Sequence, residues 1–143
     1  MNAITVSTHI QAPIERVWKC WTKPEHIQAW NAASDDWHTP HASNDLRVGG
    51  KFLARMEARD GSAGFDFSGT YTDVVPGKRL AYALDDGRGV EVAFTPIHDR
   101  ETFLEETFDA ETEHSLERQR DGWQAILNRF KTYVENLNKN SSF

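Results

Sequence analysis

The 143-residue sequence predicts an α+β fold: a curved antiparallel sheet wrapped around a long C-terminal helix, with two short helices after the first strand. Three observations carry this. Turn dipeptides punctuate the middle of the chain at short intervals. The runs between them alternate apolar and polar residues, the period of a strand with one dry face. The last part switches to helical spacing over more than five turns.

The elements follow in order. Ile4, Val6 and Ile10 share one face of an opening strand, with Thr5, Ser7 and His9 on the other. Pro13 suits the first turn of a helix carrying Ile14, Val17, Trp18 and Trp21 at spacings of three and four. Pro24 ends that helix, and a second short one carries Ile27 and Trp30. From Asp35 to about Asp109 the turns are Gly49-Gly50, Asp60-Gly61, Pro76-Gly77, Asp86-Gly87 and His98-Asp99, which imply neighbouring antiparallel strands. The dry face collects Phe52, Ala54, Met56 and Ala58, then Phe65, Phe67 and Tyr71, then Leu80, Tyr82 and Leu84, then Val90, Val92 and Phe94. A helix over about Ser115 to Leu137 presents Leu116, Trp123, Ile126, Leu127, Phe130, Tyr133, Val134 and Leu137 as one stripe, long enough to cover the sheet.

Composition narrows the function classes. The chain suits one domain over 1–143, with an ordered core of about 3–138. No apolar run reaches the roughly 20 residues of a membrane span. The N-terminus MNAITVSTHI lacks a basic stretch followed by an apolar one, so no secretory signal is expected. With the single Cys20, this points to the cytoplasm. The formal charge of −6 sits in one stretch: Glu101, Glu105, Glu106, Asp109, Glu111, Glu113 and Glu117 are accompanied by no Lys or Arg. The remainder holds 15 acids against 16 bases and shows no basic stripe, which argues against nucleic acid as a partner. The stretch reads as an exposed strand face followed by acids that favour a helix N-terminus.

Local segments then resemble a known family. They are Ala12-Pro13-Ile14-Glu15-Arg16-Val17-Trp18, Trp21-Thr22-Lys23-Pro24-Glu25-His26-Ile27 and Trp30, followed by Asp45-Leu46-Arg47-Val48-Gly49-Gly50-Lys51-Phe52, Gly69-Thr70-Tyr71 and Gly122-Trp123. Together they are similar to the START-like (SRPBCC) superfamily, in the branch named after the activator of the heat-shock protein 90 ATPase. The resemblance covers nearly the whole chain and implies the helix-grip fold, often with a cavity between sheet and long helix. Superfamily members include ligand carriers, receptors, and cyclases and aromatases, so fold alone does not fix function. The resemblance to the co-chaperone covers this domain only.

The expected function is binding of a small hydrophobic or amphipathic ligand, with Trp37, Phe52, Met56, Phe67, Tyr71, Tyr82, Phe94, Glu106, Trp123 and Leu127 as candidate lining. Alternatives are a cyclase or aromatase using the same cavity and a co-chaperone-like interaction module, with a chaperone as partner. A homodimer is compatible with the sequence, but no residue specifies an interface.

Glu106 is the sharpest polar candidate. It shares a parity with Thr102, Leu104 and Phe108, so it points inward if that face meets the helix. Gly122, in mid-helix, suits either a close approach to the sheet or a bend near the cavity, or else a tolerated glycine near the first turns. In Asp35-Asp36-Trp37-His38-Thr39-Pro40-His41 the two histidines point apart on an extended chain and match no zinc spacing. Trp37 with one histidine suits a pocket rim instead. Cys20 lacks an activating partner in sequence, no serine sits in a nucleophile elbow, and the glycines form no phosphate loop. No catalytic residue, metal or cofactor is expected.

Overall fold

In a computed structural model that describes residues 3–140, with side chains to residue 137, the opening alternation builds β1 (Ala3–Ile10). Ile4, Val6 and Ile10 are buried there, while Thr5 and Ser7 face water. Pro13 caps α1 (Ile14–Thr22) from one residue outside it, and Pro24 opens α2 (Pro24–Trp30). A proline fits there because the first N–H groups of a helix have no intrahelical partner. These helices carry the chain across to the opposite edge of the sheet, where β2 (Trp37–Asn44) begins.

The residue pattern marks no strand over β2, and its construction explains why. Pro40 lies inside it, and the register with its neighbour slips between His38 and His41. A proline cannot donate to a ladder, so it is tolerated on an edge strand or at a bulge. Here both conditions hold.

The remaining strands are β3 (Lys51–Ala58), β4 (Gly64–Val75), β5 (Arg79–Leu84), β6 (Gly89–His98) and β7 (Glu101–Asp109). Every expected turn dipeptide falls in a connection or at its border. Gly61, Gly77 and Gly87 hold φ of +79°, +73° and +93°, the left-handed region these hairpins need. The sheet order is β1-β7-β6-β5-β4-β3-β2, with every neighbour antiparallel, and the sheet curls as a half-barrel. β4 changes register between Tyr71 and Asp73, so its inward parity moves from Tyr71 to Val74.

The helix α3 (Leu116–Asn140) lies against the dry face. Leu127, Phe130 and Val134 are fully buried, whereas Leu116, expected in the same stripe, is 42% exposed. It is the first helical residue, ahead of the stretch that the sheet covers. A polar seam ties α3 to β1 and the turn after it. Gln124 donates to the Ser7 carbonyl at 3.1 Å, Lys131 donates to the His9 carbonyl at 2.8 Å, and the Gln11 N–H donates to Glu135 at 2.9 Å. At the α1–α2 end, the rings of Trp21 and Trp30 stack at 5.0 Å and both pack edge-on against Phe130. Among the described residues no helix is long and apolar enough to cross a membrane.

Candidate functional site

The helix is seamed to the β1 side of the sheet, and a cavity of about 310 Å³ remains on the other side. That size lies at the lower end of the range for small-molecule sites. Its wall is built by strand parity. Phe52, Ala54 and Met56 come from β3, Phe65, Phe67 and Tyr71 from β4, and Tyr82 from β5. Gln119, Trp123 and Ile126 close it from α3. One end is bounded by Trp21, Ile27, Trp30 and Asn31, and other lining residues include Arg88, Glu111 and His114.

The aromatic rings form a connected wall. Phe52 contacts Tyr82 at 4.8 Å, Tyr71 at 5.5 Å and Phe67 at 5.8 Å between centroids. Phe67 meets Trp123 edge-on at 6.0 Å. Trp123 in turn stacks flat on Phe108 at 3.8 Å. Gly69 makes room for this wall: a Cβ there would stand 2.5 Å from the Ala83 carbonyl oxygen and 3.0 Å from the Phe52 ring. Gly122 is different, since a Cβ built on it meets nothing within 4 Å. Gly122 therefore marks no close approach of the helix to the sheet.

Glu106 points inward, as its parity suggested. Thr102, Leu104, Glu106 and Phe108 are the buried residues of β7. Its cross-strand neighbours are Val6 on β1 and Val92 on β6, both buried aliphatics. Among the described residues its carboxyl group has no hydrogen-bond partner and no ion pair. Removal from water without compensation pushes its pKa from the ordinary 4.5 up to about 8. At neutral pH the group is therefore mostly a neutral acid. The Tyr82 hydroxyl likewise has no hydrogen-bond partner among the described residues, and burial and the nearby Glu106 carboxylate hold its pKa well above 10.0. Tyr71, by contrast, is engaged: its hydroxyl donates to Asn44 Oδ1 at 2.7 Å, and Asn44 Nδ2 donates to the Thr22 carbonyl at 2.7 Å. Burial pushes the Tyr71 phenol up to about 12.

Of the residues expected on the lining, Phe52, Met56, Phe67, Tyr71, Tyr82, Glu106 and Trp123 are there. Trp37, Phe94 and Leu127 are not among the lining residues. Trp37 sits on the edge strand β2 and packs at 5.9 Å against Phe65, which does line the cavity. Phe94 faces inward but is covered edge-on by Trp18 and Trp21, and Leu127 is fully buried in the packed core. Lining residues that pattern reasoning passed over include Asn44, Arg88 and Gln119. Asn44 and Arg88 stand at a strand end and in a turn, where no periodicity marks them, and Gln119 falls at the spacing of the apolar stripe but is polar, so a hydrophobic pattern does not count it.

The other clusters resolve locally. Cys20 is buried, and desolvation pushes its thiol up to about 11, which disfavours the reactive thiolate. Thr39, between the two histidines of β2, donates to the Asn31 carbonyl at 2.6 Å. His38 and His41 are not gathered with other ligating groups; the described residues that are so gathered are Glu111, Glu113 and His114, in the loop before α3. The acidic stretch divides as well. Glu101 contacts His9 at 2.8 Å, Asp109 accepts from the Gly89 N–H at 2.8 Å, and Glu117 lies in the first turn of α3.

Comparison with known proteins places the chain among relatives. The sequence model of the family described as "Activator of Hsp90 ATPase homolog 1-like protein" matches residues 11–135. The solution structure of an AHSA1-like protein from Aeromonas hydrophila is 48% identical, with a TM-score of 0.90 over 99% of this chain and 98% of that one. A solution structure from Cytophaga hutchinsonii is 45% identical, with a TM-score of 0.82 over 100% and 99% of the two chains. A crystal structure from Chromobacterium violaceum, 24% identical, shares the fold with a TM-score of 0.83 over 94% and 99%. No curated protein matches the chain.

Proposed function

The chain belongs to the family described as activator of Hsp90 ATPase homolog 1-like proteins, and from that premise we propose that it binds a small hydrophobic or amphipathic ligand between its sheet and α3. The observation that carries this is the cavity of about 310 Å³, walled by aromatic rings yet holding the Glu106 carboxyl and the Tyr82 hydroxyl, which have no hydrogen-bond partner among the described residues. A plain core would fill that volume, because interiors are packed to crystal-like density and voids cost stability. Burial of the ligand's apolar surface supplies affinity, and the few polar tips fix its orientation. Binding is a fuller account of the site than turnover. Among the described residues Glu106 has no hydrogen-bonded group with which to relay a proton, and burial keeps the nearby Tyr82 phenol protonated. The lone, buried Cys20 fits a reducing compartment, where we place the protein.

The test is a thermal-shift and NMR screen of small aromatic and lipid-like compounds against the wild type and Ala54→Leu. Ala54 is buried and lines the cavity, so the larger side chain occupies ligand space without touching the α3–β1 seam. Compounds that shift the Trp123 indole resonance in the wild type should lose at least about tenfold in affinity in Ala54→Leu. Equal binding by a folded Ala54→Leu, or no hit at all, would defeat the reading.

A further inference from the structure

Resting on that ligand-cavity reading, we propose that the occupant is an amphipathic cation: an apolar, ring-sized body bearing one ammonium nitrogen, which sits against the Glu106 carboxylate within the aromatic wall. The geometry points to a cation on two independent grounds. First, Glu106 is 6% exposed, aims into the cavity from between Val6 and Val92, and has no hydrogen-bond or ion-pair partner among the described residues. A buried carboxyl left unpaired is costly, and a ligand cation would complete it. Second, the groups that share the cavity with it are mostly rings. Phe52, Phe67, Tyr71, Tyr82 and Trp123 line the same space, and the faces of such rings attract a positive charge. An anionic ligand would meet those electron-rich faces, with unfavourable electrostatics.

The other charged and titratable groups around the cavity do not satisfy Glu106. From β4 and β5 come the phenols of Tyr71 and Tyr82, neutral through the physiological range. From the β5–β6 turn comes Arg88, whose Nε donates to Asp86 at 2.8 Å. From the loop before α3 come Glu111 and His114, in contact with each other at 3.1 Å. The lining contributed by β3, α1, α2 and α3 carries no charge: Met56, Trp21, Trp30, Gln119, Trp123 and Ile126. The β1 and β6 neighbours are the two valines.

Binding is then an exchange. Below about pH 8 Glu106 holds a proton, and the incoming ammonium takes its place as one proton leaves to solvent. Neither bonds nor electrons of the ligand change. Affinity for a cation without a titratable proton should therefore rise about tenfold per pH unit between pH 5.5 and 7, then level off above pH 8.

The experiment compares benzyltrimethylammonium with its neutral isostere neopentylbenzene, by calorimetry and NMR titration at several pH values, on the wild type and Glu106→Gln. The expected result is tighter binding of the cation at pH 8, with release of one proton at pH 6.5 seen as a buffer-dependent heat. Glu106→Gln should lose about thirtyfold or more for the cation and keep its affinity for the isostere. Equal binding of both probes, or an unchanged cation affinity in folded Glu106→Gln, overturns the cation assignment and leaves the cavity reading standing. Binding of neither probe overturns the cation assignment and counts against the cavity as well. Should Glu106→Gln fail to fold, the pH slope and proton release of the wild type decide alone, and a flat profile overturns the proposal.

Discussion

Glu106 is one carboxyl group whose surroundings set its chemistry, and its sign can be worked through. The unfolded chain gives up this proton near pH 4.5, while the folded protein holds it to about pH 8. Between those values the folded state binds more protons, so stability falls as pH rises, and the loss is complete above about pH 8. At about 1.4 kcal/mol per pH unit the effect amounts to several kcal/mol. Glu106→Gln carries no proton to lose. Its stability relative to wild type should therefore increase by at least about 2 kcal/mol from pH 5 to pH 8.5, measured by urea unfolding, and a constant difference would refute the account. Two glycines give an opposed pair of outcomes. Gly69→Ala must push the Ala83 carbonyl away and crowd the Phe52 ring as well, and should cost about 1–3 kcal/mol. Gly122→Ala meets open space in a helix and should gain about 0.5–1 kcal/mol. Denaturant midpoints of the two variants check both signs.

The long helix shows the same contrast between filled and empty surroundings along one element. Its Leu127 and Phe130 are fully buried in packed core, whereas Trp123 and Ile126 line the cavity. Leu127→Ala should destabilise by about 2–5 kcal/mol, yet the folded fraction should bind ligands with unchanged affinity. Trp123→Leu should weaken binding, since Trp123 presents an edge of the cavity wall held flat against Phe108. Calorimetric unfolding beside ligand titration separates these roles, and equal loss of affinity in both variants would refute the division. The helix period in the sequence marks both residues as inward. It cannot say that one meets packed side chains and the other a void. The edge strand β2 was illegible for a related reason: Pro40 and the slip between His38 and His41 break the period of two that identifies a strand.

For the molecule as a whole, the sheet is fastened to α3 along β1, while the cavity lies toward β3 and β4. A ligand there binds the folded state alone, so occupancy raises global stability by mass action. At a hundredfold excess over Kd the gain is about 2.7 kcal/mol, or a Tm rise of several degrees for a domain of this size. A compound that binds by NMR yet leaves Tm unchanged must bind the unfolded chain as well as the folded one, which would refute occupancy of a cavity that only the fold creates.

The amino-acid sequence by itself determined the class of fold, the turns, the dry face and the inward parity of Glu106, because periodicity and glycine turns are local properties of the chain. Only the tertiary structure decided which inward residues meet space and which meet neighbours. It put Phe52, Phe67 and Trp123 on the wall, and Phe94 and Leu127 in the core. Among the described residues it also left the Glu106 carboxyl and the Tyr82 hydroxyl without hydrogen-bond partners, because such partners come from other strands and from the helix. A void and an unpaired group are relations among distant segments, fixed when the sheet curls and the helix docks, and no local pattern encodes them.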